Sequence, residues 1–100
     1  AEIVKIFLKK AGLKARDIDV IGFHGQTIFH DPINRFTWQI GDGAILAALT
    51  GIDVINDFRS ADVAAGGQGA PFLPLYHQAL SSKLQRPLAI LNLGGVANVT

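Results

Sequence analysis

Four short apolar runs constrain this chain more than any other feature. They cover residues 18–23, 36–40, 53–58 and 88–93, and each breaks off into polar or glycine-rich residues. Runs of this length and composition read as strands. Between them lie segments with helical spacing. In residues 1–11 the apolar positions are Ile3, Val4, Phe7, Leu8 and Ala11, and Gly12 stands as a stop. Asp42 is placed to cap a helix over 43–50 that Gly51 closes. A further helix is expected over 71–82, entered at Pro71. The alternation predicts an α/β layout with a largely parallel sheet and flanking helices. Right-handed crossovers then bring the carboxyl ends of the strands to one edge, where ligands of such sheets usually sit. His24-Gly25-Gln26-Thr27 is expected there as a polar loop, and Asp31-Pro32-Ile33-Asn34 as a turn. Residues 96–99 are expected to pair with the last run across Gly94-Gly95. Residues 83–87 form the one candidate linker.

Length and charge narrow the class. The 100 residues suit one small domain or a piece of a larger one. Hydrophobic residues make up 49% and charged residues 17%, against a usual charged share of about 25%. That apolar excess predicts surface buried against further chain. With no starting Met and an abrupt end at Val99-Thr100, the sequence reads as an internal fragment. A net charge of +1 without a basic stripe argues against a nucleic-acid partner. No cysteine is present for a disulfide or a thiolate metal site. No apolar stretch has the length of a membrane span, so a soluble, cytoplasmic protein is expected.

The residues best suited to chemistry lie in one run. Asp57 and Asp62 flank Arg59 and lead into Gly66, Gly67, Gln68, Gly69 and Pro71. A carboxylate beside a sugar or phosphate can act as a general base or hold a hydroxyl. An arginine can clamp an anion in bidentate fashion. The plain structural alternative has Asp62 capping a short turn, Asp57 ending a strand, and Arg59 pairing with one of them. The glycines weigh towards function, because they let backbone approach a ligand closely. Their N–H groups could meet an anion, yet the spacing is neither a Walker nor a Rossmann loop. His24-Gly25-Gln26-Thr27 offers an imidazole, an amide and a hydroxyl suited to a sugar hydroxyl or an amide. Trp38 with Gln39 reads either as a sugar-stacking face or as core packing. His30 and His77 read as surface or structural residues, and the three histidines match no metal-ligand spacing. Asn92-Leu93-Gly94-Gly95 reads equally as a phosphate cradle or an ordinary hairpin.

Taken in order, four segments resemble the anhydro-N-acetylmuramic acid kinase family. They are His24-Gly25-Gln26-Thr27, Gln39-Ile40-Gly41-Asp42, the Asp57-Phe58-Arg59 run through Pro71, and Asn92-Leu93-Gly94-Gly95 with Ala97-Asn98. The resemblance runs through nearly the whole chain, and residues 62–71 are its most specific part. It implies a ribonuclease H-like, actin-like fold of two α/β domains with a cleft between them. Residues 1–87 would be the later part of the first domain, and 88–100 the opening hairpin of the second. The implied activity is hydrolytic opening of the 1,6-anhydro ring of anhydro-N-acetylmuramic acid with phosphorylation of O6 by ATP, a step in peptidoglycan recycling. Asp62 would be the base that activates water. Asp57 and Arg59 would shape the sugar site or hold Asp62. His24, Gln26 and Gln39 would contact the sugar, with Gly66, Gly67 and Gln68 forming part of its site. Asn92, Gly94 and Gly95 match the second phosphate loop, which faces ATP and its Mg2+. The implied partners are the sugar and ATP, with neither nucleic acid nor membrane, and a homodimeric parent is among the expectations. The family's first phosphate loop, Gly-Thr-Ser-x-Asp-Gly, does not occur in these residues, so this slice alone is expected to be inactive. Two alternatives stand beside this reading. One is a glycoside hydrolase using Asp57 and Asp62 as paired carboxylates, the other a non-catalytic carbohydrate-binding module.

Overall fold

A computed structural model describes residues 1–93 and 97–99. The chain forms two compact units, Ala1–Gly69 and Ala70–Thr100.

The first unit opens with helix α1 (Glu2–Ala11), whose apolar side runs along Ile3, Val4, Phe7 and Leu8. This side meets Ile18, Ile21 and Ile52 across an apolar groove. Leu8 and Ile52 are buried there, while Ile3 and Phe7 remain exposed. Gly12 ends the helix in the left-handed region. Its N–H reaches the Lys9 carbonyl, and the Leu13 N–H reaches that of Leu8. These two bonds satisfy carbonyls that the helix end would otherwise leave open.

Strand β1 (Ile21–Phe23) starts three residues later than the sequence suggests. A 3-10 turn at Ala15–Asp17 takes up the chain before it, closed by Asp17 Oδ2 accepting from the Lys14 N–H at 2.8 Å. β1 runs parallel to β4 (Val54–Asn56), with Ile21 opposite Val54 and Phe23 opposite Asn56. Among the described residues this is the only parallel pair. The largely parallel sheet expected from the sequence is therefore a small one within a mixed α/β arrangement.

Between β1 and β4 lie an antiparallel hairpin and a helix. The hairpin joins β2 (Gln26–Asp31) to β3 (Phe36–Ile40). Gln26 and Thr27, expected in a loop, lie in β2. The strand is hard to read because its pairing slips between Thr27 and Phe29, leaving Ile28 as an extra residue that breaks the two-residue period. In β3 the alternation is inverted. Phe36, Trp38 and Ile40 face outward, and Thr37 and Gln39 are half-buried. Helix α2 (Gly43–Thr50) follows as expected, with the Ile45 N–H donating to Asp42 Oδ1 at 2.9 Å and Gly51 at its end.

After β4 the chain does not pass directly into the glycine loop. A short helix, α3 (Ser60–Ala64), intervenes. Asp57 starts it by accepting from Ser60 Oγ at 2.5 Å and from the Ser60 N–H at 3.4 Å. Val63 is fully buried and fixes α3 to the unit, a burial worth roughly 1.5–3 kcal/mol. Five residues give too little periodicity to mark such a helix in the sequence.

In the second unit, helix α4 covers Leu73–Leu80, shorter than the expected 71–82. Pro74 lies in its first turn, where a missing N–H costs nothing. Strands β5 (Leu91–Leu93) and β6 (Ala97–Val99) form an antiparallel pair with Leu91 opposite Val99. The expected Gly94-Gly95 turn lies outside the described residues. Among the described residues no helix is long and apolar enough to cross a membrane.

Candidate functional site

The parallel pairing of β1 and β4 brings two chain ends together. Phe23 lies opposite Asn56, so His24 and Asp57 leave the sheet at the same edge. A cleft of about 270 Å³ opens there. His24, Gly25 and Phe23 form one side, and Asn56, Asp57 and Ser60 another. Thr37, Trp38, Gln39 and Gly41 complete it from the hairpin. Three of the expected sugar contacts, His24, Gln39 and Asp57, thus line one cleft. Trp38 is 52% exposed, so it is not core packing within this unit. Gln26, opposite Ile40 at the start of β2, is exposed and is not among the residues lining this cleft.

Asp57 occupies the left-handed region with φ 53°, a conformation Asp tolerates better than most residues. The backbone reversal there turns the chain from β4 into α3. Asp57 also holds Ser60, the first residue of α3, whereas the plain structural alternative had Asp62 capping a short turn.

A second constellation is built on Arg59, α3 and the glycine loop. Asp62 lies on α3 with its carboxylate directed at the glycine loop. Asp62 Oδ2 accepts from the Gly69 N–H at 2.6 Å. The Gly69 carbonyl accepts from Arg59 Nη1. Gly69 is buried with a φ of +64°, and Val63 Cγ2 crowds the place where a side chain would begin, so only glycine fits. At Gly67 the constraint is close approach, since a methyl group there would overlap the Asp62 carboxylate. The Gly67 N–H also returns to the Asp62 carbonyl at 2.8 Å. Arg59 and Asp62 therefore grip Gly69 from its two sides, and Gly66 and Gln68 lie on the loop between. Oδ2 is the Asp62 oxygen that the Gly69 N–H holds.

Asn56, Thr37 and Ser60 line the cleft and were not singled out in the sequence. Asn56 was legible in principle, as the residue before Asp57 at the carboxyl end of a strand. Thr37 stands two residues before Gln39 on the same face of β3. Asn92 lies in β5 of the second unit, and Gly94 and Gly95 are outside the described residues. His77 has a buried Nδ1 with no hydrogen-bond partner among the described residues.

A fixed carboxylate with one engaged oxygen can take a proton from water. A cleft with an imidazole, two amides, hydroxyls and an indole can bind a polar, ring-shaped ligand. Comparison with known proteins gives the family. The family model described as anhydro-N-acetylmuramic acid kinase matches residues 1–100. A protein of that name from Paramagnetospirillum magneticum is 64% identical over 100 residues, covering 100% of this chain and 28% of the relative. Its namesake from Rhizorhabdus wittichii is 62% identical over 97 residues, and that from Zymomonas mobilis 63% over 99 residues. The chain thus spans about 28% of the length of the first of these curated relatives and 27% of the other two.

Proposed function

Because the chain belongs to the anhydro-N-acetylmuramic acid kinase family, we propose that the full-length polypeptide containing it opens the 1,6-anhydro ring of anhydro-N-acetylmuramic acid and phosphorylates O6 with ATP. Residues 1–87 then belong to the first of two actin-like domains, and 88–100 open the second. The observation that carries this reading is the Asp62 carboxylate held by the Gly69 N–H. A base must keep its orientation while its charge changes, and a fixed backbone donor supplies that.

In this reaction Asp62 Oδ1 takes a proton from water as the water oxygen bonds to the anomeric carbon. The bond from that carbon to O6 breaks, and its electron pair stays on O6. O6 then accepts the γ-phosphoryl group, and ADP leaves. His24, Gln39 and Asp57 orient the sugar in the cleft, with Gln26, Gly66, Gly67 and Gln68 as further candidates around it. Arg59 keeps the loop closed on Asp62 through the Gly69 carbonyl. Asn92, Gly94 and Gly95 would meet the nucleotide phosphates. Among the described residues no group of three or more His, Cys, Asp or Glu could hold a metal ion. Magnesium in this reading arrives with the nucleotide, and no step here passes through it.

The test uses the full-length polypeptide. Consumption of the anhydro sugar should require ATP and yield the 6-phosphate. Asp62→Asn keeps the shape and the acceptor oxygen but removes the base, so turnover should fall about 10²–10⁴-fold while calorimetry shows sugar binding retained. Ring opening that proceeds equally well without ATP would point to the hydrolase instead.

A further inference from the structure

We infer that His30 is a positioning residue that sets which way round the Gln39 amide meets the cleft, and so makes the cleft select a hydrogen-bond donor on its ligand. The inference rests on the sugar-binding role proposed for the cleft.

The slipped pairing of β2 creates the arrangement. Thr27 lies opposite Gln39 and His30 opposite Thr37. Thr27 and His30 are three residues apart, and in a regular strand they would face opposite sides. The extra residue Ile28 brings both to the face that carries Thr37 and Gln39. A chain of hydrogen bonds results. His30 Nδ1 is 2.9 Å from Thr37 Oγ1. Gln39 Nε2 donates to Thr37 Oγ1 at 2.8 Å and to Thr27 Oγ1 at 3.4 Å.

A threonine hydroxyl has one hydrogen to give. The Thr37 oxygen has two lone pairs, so it can accept from Gln39 and still give or take a bond with His30. In the proposed arrangement the Thr37 hydrogen points at His30 Nδ1, and the ring hydrogen sits on Nε2. The dependence also runs the other way. While His30 takes the Thr37 hydrogen, Gln39 cannot have it and must turn its NH2 group towards the threonines. Both amide hydrogens are then used, and Oε1 is the atom offered to the cleft. A ligand must bring a hydroxyl or an amide N–H to it. Without His30, the Thr37 hydroxyl is released to donate to Oε1. The amide then turns over and offers NH2 instead. The imidazole also stands beside the loop that holds Asp62, with Cε1 3.3 Å from where a Gly69 side chain would begin.

Two measurements on the full-length polypeptide test this. The first is the nitrogen NMR spectrum of labelled histidine in the wild-type protein. His30 Nδ1 should show the signature of an unprotonated ring nitrogen, and a protonated Nδ1 with a bare Nε2 would overturn the inference. This measurement does not depend on turnover or on any variant folding. The second is steady-state kinetics with the anhydro sugar. His30→Ala should raise KM about tenfold, the effect of one misdirected hydrogen bond, with kcat within about twofold and an unchanged melting temperature. Thr37→Val should match it, and the double variant should be no worse than either. His30→Asn, whose Oδ1 can stand where Nδ1 stood, should restore KM. An unchanged KM, or a joint fall in kcat and melting temperature that Asn does not repair, would show a merely structural role. A wild-type protein with no activity on the sugar would refute the proposed function alone, and the tautomer would still decide the inference.

Discussion

At the scale of single residues, the site depends on Gly69. Its N–H holds Asp62, its carbonyl is held by Arg59, and Val63 closes off the space beside it. No side chain could stand there, so the sequence shows only a glycine in a glycine-rich run. The partners of its backbone groups are set by the fold, and sequence alone cannot name them. Asp62 and Arg59 were legible as candidates, but the means by which they cooperate was not. At Gly67 the consequence is measurable. Gly67→Ala should displace the Asp62 carboxylate and lower kcat of the full-length polypeptide, while circular dichroism stays unchanged; full activity would show that the loop yields without cost. Asp31 provides a check on charge. The side-chain amide of Asn34 (at 2.7 Å) and then its backbone N–H lower the Asp31 carboxyl below the ordinary aspartate value. A carboxylate depressed in the folded state stabilises above its unfolded value, and that contribution is lost as pH falls through the folded one. Asn34→Ala should therefore move the Asp31 titration upward, as followed by NMR, and make the hairpin turn loosen at a higher pH.

At the scale of elements, local signals decided what could be read. Helix α2 carries its own punctuation in Asp42 and Gly51, and it appears where the sequence puts it. Asp42→Ala removes the bond to the Ile45 N–H and should cost about 1 kcal/mol in a denaturant titration. Strand β2 carries no such signal. From Gln26 to His30 its polar and apolar residues alike are exposed, and the slip at Ile28 destroys the alternation that marks a strand. Helix α3 is hidden for a different reason. Its start depends on the Asp57 side chain and its hold on the burial of Val63. The features missed were those that build the site, where local preference yields to the needs of the cleft.

At the scale of the whole molecule, the described residues bury few large apolar side chains. Leu8, Ile52 and Val63 are buried, whereas Phe29, Phe36, Trp38 and Ile40 are roughly half exposed along the hairpin. This agrees with the excess of apolar residues in the composition, which exceeds what the core of these residues uses. The nucleotide is the other whole-molecule question. The first phosphate loop that the resemblance implies is not found within residues 1–100, so calorimetry should detect weak ATP affinity or none in this segment alone, whereas the proposed function expects binding by the full-length polypeptide. Micromolar binding by the segment would require a nucleotide site built from its own residues.

The extra residue at Ile28 has a further consequence for how the sequence can change over time. Ile28 itself is half exposed and its side chain has no polar atom to engage, so exchange for another β-former should leave the hairpin intact. Its presence as a unit of length is another matter. Losing one residue there would restore a regular ladder and rotate either Thr27 or His30 away from the Gln39 side. At this position a change of length therefore costs more than a change of identity, and among relatives gaps in this strand should be rarer than substitutions.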